Sequence, residues 1–114
     1  MIKTVSESNT HEHWAVSNHR HKLQKRQIQW WWLSLQEKPS LPCSVKLTRI
    51  APRMLDSHDN LPTSLKWITD SIADKMCPGL KAGRADDDAR IRWVYDQQKG
   101  QPKEYAVLIE ISSP

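Results

Sequence analysis

Cysteine is scarce in this chain, and what there is follows no ligand pattern. Cys43 and Cys77 are the only two, and no CxxC spacing joins them to anything. Neither a disulfide framework nor a cysteine-based zinc site is therefore expected. Cys43 is expected to pack on a strand and Cys77 to lie in a Cys-Pro-Gly turn, which suits a reducing, cytoplasmic setting. No apolar run approaches the roughly 18 residues that a membrane-spanning helix requires. The first residues lack the apolar core of a signal peptide, so a soluble intracellular protein is expected. No internal repeat is present.

What the chain does contain is charge, unevenly placed. Seventeen Lys and Arg against 13 Asp and Glu give a formal charge of +4 over 114 residues, enough chain for one domain with a single modest core. Residues 19 to 26 hold His19, Arg20, His21, Lys22, Lys25 and Arg26 with no acid among them. Acids gather instead at Asp56-Ser57-His58-Asp59-Asn60 and at Asp86-Asp87-Asp88. Cations outside an acidic pocket would suit a polyanion-cutting site, with phosphates held outside and metal reversing the sign within. A solvated helix face is the plainer account of the basic block.

Taken in order, residues 1–9 are polar and expected to fray, leaving a single domain over 10–114. Thr10 is placed to cap a helix that begins near His11 and runs to about Gln36. Ile28, Trp31, Trp32 and Leu35 follow i, i+3, i+4, i+7, one apolar helical face. Trp30 lies off that stripe, nearer Leu23 and Leu33. The Trp30-Trp31-Trp32 run admits three readings: all core, one member in a dimer interface, or one stacking on an opened base. Lys38-Pro39-Ser40-Leu41-Pro42 ends the helix. Cys43 to Ile50 alternates as a strand. A second helix is predicted from Leu61 to about Met76, with Leu65, Ile68, Ile72 and Met76 buried and Lys66 and Asp70 sharing another face. Ile91, Trp93 and Tyr95 alternate, Lys99-Gly100-Gln101-Pro102 turns, and Tyr105, Val107, Ile109 and Ile111 alternate again, which predicts a β-hairpin. The expected fold is α+β: a small mixed sheet of about three strands, with the C-terminal hairpin, and two helices on one side. Its exposed strand edges suggest sheet extension through a dimer.

The acidic runs carry the candidate chemistry. Clustered carboxylates repel one another unless a cation or proton sits among them. Mg2+ typically needs only one or two of them, with water and phosphate completing its shell. His58, between Asp56 and Asp59, reads either as a solvated loop residue or as a ligand that would tilt preference toward Mn2+ or Zn2+. His11 and His13 point apart on a helix and are discounted as a metal pair.

The run from Asp56 through Asp59-Asn60-Leu61, then Lys66 and Asp70, then Asp87-Asp88 followed by Arg90-Ile91, resembles the RusA family of phage and prophage Holliday junction resolvases. Asn9 through Trp14, and Tyr95, Gln97, Lys99 and Gly100, extend the likeness over residues 9–112. Ser57 stands where the family has its first aspartate, with Asp56 one step earlier. The resemblance implies a homodimer in the bacterial cytoplasm that binds four-way DNA junctions and nicks two strands symmetrically with Mg2+ or Mn2+. Asp56, Asp59 and Asp88 would then hold metal, with Asp87 as ligand or support. Lys66 would neutralise charge on the scissile phosphate, and Asn60 and Asp70 would support the site. Arg20, Lys22, Lys25, Arg26, Arg53, Lys81 and Arg84 would contact DNA. Two rival expectations remain: a family-like DNA-binding protein that does not cut, and a phage protein that binds a partner through its tryptophan-rich helix.

Overall fold

The computed structural model describes residues 2–5, 14–55, 60–78 and 88–113. Within them run α1 (Trp14–Ser34), β1 (Cys43–Ala51), α2 (Asn60–Ser64), α3 (Lys66–Met76), β2 (Ile91–Lys99) and β3 (Ala106–Ser112). The strands form one mixed sheet in the order β2-β1-β3, with β1 parallel to β2 and antiparallel to β3.

β1 is central and is the most deeply buried strand. Cys43, Val45, Leu47, Thr48, Arg49 and Ala51 are all buried, whereas β2 beyond its buried Ile91, and β3, run between half-buried and exposed. Register sorts the side chains into rows. Val45 lies between Trp93 and Ile111, and Leu47 between Tyr95 and Ile109. These rows meet Ile28 of α1 and Ile68 and Ile72 of α3 in the core. The alternate rows, such as Val94-Lys46-Glu110, face away from it. The result is two layers, with α1 and α3 over one side of the sheet. Each fully buried Leu or Ile contributes about 1.5–3 kcal/mol.

The predicted C-terminal hairpin does not form. The chain does reverse after β2, but Gly100 N–H donates to Ala51 O at 2.8 Å, so the reversal passes over the end of β1. β3 then pairs with the far edge of β1 instead of with β2. The crossing is tight. A Cβ on Gly100 would stand 2.6 Å from Glu104 Oε1 and 3.1 Å from Ile50 Cγ2. Lys103, at φ 63, completes the turn.

The second predicted helix is two. Leu65 N–H donates to Pro62 O at 3.2 Å in a turn between α2 and α3, and Thr69 N–H returns to Leu65 O at 2.8 Å. The expected stripe survives the break: Leu65, Ile68 and Ile72 have no exposure. α1 ends at Ser34, where Lys38 Nζ donates to the carbonyls of Trp32 and Leu35, as a basic residue does at a helix C-terminus. The described part of the N-terminal segment is held to the domain, against the expectation of fraying. Thr4 is buried, and Gln24 Nε2 donates to Lys3 O at 2.7 Å.

Candidate nucleic-acid interface

The basic block lies on α1 and splits by helical phase. Arg20, Gln24 and Ile28 recur every four residues and are all buried, at 8 %, 1 % and 0 % exposure. Arg20 therefore belongs to the inward stripe and is not presented with the other cations. Lys22, Lys25 and Arg26 are exposed. Trp31 and Trp32 are half-buried, while Trp30 is 71 % exposed beside the exposed Leu33.

Asn18, His21, Lys22 and Lys25 follow i, i+3, i+4, i+7 and form one wall of a groove of about 470 Å3. The other wall comes from α3 through Lys66, Trp67, Asp70, Ser71 and Asp74. Across it the His21 ring stacks on Trp67, with centroids 4.2 Å apart and planes 25° from parallel. Trp67 keeps 43 % of its surface exposed. Ser71 Oγ donates to Trp67 O at 2.8 Å, one turn back along the helix. Lys66 Nζ pairs with Asp70 Oδ2 at 3.3 Å, at the i, i+4 spacing the sequence predicted. The groove thus joins three lysines to an aromatic stack, a combination suited to phosphates and bases. His21 and Trp67 were not among the expected site residues. The signal was present: Trp67 is a large apolar residue out of phase with the 65/68/72/76 stripe.

Asp88 is engaged elsewhere. Its Oδ1 accepts from Arg90 N at 2.9 Å and from Arg90 Nε at 3.0 Å. Its Oδ2 accepts from Arg90 Nη2 at 2.8 Å and from the Cys77 thiol at 3.7 Å. These bonds, those from Arg90 foremost, hold the Asp88 carboxyl well below the usual carboxylate range. Burial, then the Asp88 charge, pushes the Cys77 thiol up. Burial does the same at Cys43, so neither thiol is primed as a nucleophile.

Lys66 and Asp88 are not brought together. Lys66 opens α3 and Cys77, which touches Asp88, caps its other end, about 16 Å away along the axis at 1.5 Å per residue. Leu55, the last described residue before the first acidic run, exchanges two hydrogen bonds with Gln97, at 2.8 and 2.6 Å. From Ile91, next to Asp88, β2 runs about 20 Å to reach Gln97. Asn60 opens α2 and its carbonyl accepts from Thr63 Oγ1 at 3.2 Å. Arg53 is exposed, and its carbonyl accepts from Arg49 Nη1.

Asp56, His58, Asp59, Lys81, Arg84 and Asp87, with His11 and His13, lie outside the described residues. Among the described residues no group of three His, Cys, Asp or Glu could hold a metal ion. Of the expected metal ligands only Asp88 is among the described residues, and there its carboxylate is held by Arg90. Among the described residues, too, no helix is long and apolar enough to cross a membrane. Comparison with known protein families, with characterised proteins and with solved structures finds no match to this chain.

Proposed function

We propose that this chain is a DNA-binding protein of RusA-like design. It would hold phosphates with Lys22, Lys25 and Arg26 of α1 and Lys66 of α3. The observation that carries the reading is the groove in which Lys22, Lys25 and Lys66 surround an aromatic stack. Phosphates recruit such cations by releasing condensed counterions, so binding by this surface weakens steeply with salt. Branched DNA, the four-way junction first, is the substrate that the resemblance implies, with two copies of the chain bound to it.

Metal-dependent nicking by Asp56, Asp59 and Asp88 with Mg2+ or Mn2+ is the second reading. It is supported by the Lys66–Asp70 pair, which forms at 3.3 Å as the family spacing requires. The Asp88–Arg90 clasp favours binding without cutting.

The test is a labelled four-way junction beside a matched linear duplex, with Mg2+, Mn2+ or EDTA, using the wild type and Asp59→Asn. Salt-sensitive junction binding with no nicks under any metal is the expected result. Paired nicks that need metal and vanish in Asp59→Asn would establish the enzyme instead. No binding to either DNA would sink both readings and leave the exposed Trp30 and Leu33 as the place to seek a protein partner.

A further inference from the structure

We infer that the groove between α1 and α3 is a seat for one unpaired nucleobase, stacked on the open face of Trp67. The inference rests on the DNA-binding reading and adds to it the state of the strand that is bound.

Trp67 is neither core nor stray surface. The buried stripe of α3 runs through Ile68 and Ile72, and Trp67 stands beside it. His21 covers one face of the indole at 4.2 Å, while 43 % of the residue stays open to solvent. An aromatic ring backed by a stacked neighbour and still nearly half exposed is a preset platform. Its side chain need not be ordered on binding, and every base offers a π-face to it. The neighbours supply what a nucleotide brings besides its ring. Lys22 and Lys25 stand on the α1 wall and Lys66 on the α3 wall, placing cations on both sides for the flanking phosphates. Asp74, exposed on the α3 wall, is a carboxylate placed to accept from a ring N–H or amino group of the base. A paired base inside a duplex cannot present its face to such a platform. The ligand is therefore a single strand, or a strand opened at a branch point.

The experiment measures anisotropy of two short labelled strands with the same number of phosphates, an oligothymidylate and its abasic analogue, with oligouridylate and oligodeoxyuridylate alongside as a pair that differs only in the sugar. Wild type should bind the base-bearing strand more tightly than the abasic one. Trp67→Ala should lower affinity for the base-bearing strand by about 5- to 150-fold, the range spanned by one base-on-aromatic stack. It should leave the abasic strand unchanged. Trp67→Phe should restore most of the loss and guards against reading a folding defect as lost stacking. Tighter binding of uridylate than deoxyuridylate, or the reverse, supports the seat provided Trp67→Ala abolishes the preference for bases. Equal affinity of wild type for base-bearing and abasic strands would overturn the inference and leave the phosphate reading standing. So would a Trp67→Ala loss shared equally by both strands. Failure to bind any of these strands or a junction would remove both together.

Discussion

Arg49 carries a guanidinium onto the apolar side of the sheet at 4 % exposure, and three oxygens make that tolerable. Nε donates to Thr4 Oγ1 at 2.8 Å, Nη1 to Arg53 O at 2.6 Å and Nη2 to Thr4 O at 3.4 Å. Burial lowers its pKa, opposed by the nearby Tyr105, yet a guanidinium stays charged in any protein. Arg49→Leu keeps the bulk and removes the donors. It should cost about 2 kcal/mol in urea unfolding and accelerate amide exchange in residues 2–5. If those amides stay protected, the clasp is not what holds the segment. Asp88 makes a pH argument of the same kind. Its folded pKa is depressed by Arg90, so its contribution is fully present above the unfolded value of about 3.9 and is lost as pH falls through the folded one. Melting temperature should be higher in wild type than in Asp88→Asn at neutral pH, with the gap closing below about pH 4. A gap that persists at the acid end would assign it to packing instead of to the charge.

Among the elements, α1 does two tasks on two phases of one helix. Arg20, Gln24 and Ile28 look inward while Lys22, Lys25 and Arg26 look out. The double variant Lys22→Glu/Lys25→Glu should therefore leave stability nearly unchanged. It should flatten the salt dependence of DNA binding by about two phosphate contacts, one for each lysine. An unchanged slope would move the phosphate contacts off α1. Helical phase was the part of these elements that the sequence showed plainly. The 65/68/72/76 stripe and the strand alternation from Cys43 both follow from local geometry, 3.6 and 2 residues per repeat. The break at Leu65 was hidden because a turn there leaves Leu65 on the same apolar stripe. Arg20 was misplaced because a basic residue at the end of an apolar stripe looks, from composition, like its exposed neighbours.

At the scale of the molecule, the strand order was the illegible part. Alternation identifies a strand but not which edge it joins, and a Gly-Gln-Pro turn reports a reversal without saying what it reverses around. The same limit applies to the acidic runs. Their nearness to elements was readable, but the end-to-end separation of Leu55 and Asp88 along the strands follows only from the parallel β1–β2 pairing. Ser44→Cys/Ser112→Cys tests the order directly, since those residues face one another across β1 and β3. Oxidation should cross-link this pair readily, and Arg92→Cys/Ser112→Cys poorly. The reverse would restore the hairpin.

A sheet ordered β2-β1-β3 also sets the protein's clock. Cys43 pairs with Ile91, and Ser44 with Ser112, so each ladder closes a loop of about fifty residues or more before any strand bond repays the entropy. Without a local hairpin to seed the sheet, helix formation should outrun it, and refolding should fall in the millisecond-to-second range typical of non-local topologies. During that interval β1, the central strand of the finished sheet, waits with both edges open. The vulnerable moment for this chain is thus its folding, when self-association would compete with the arrival of β3.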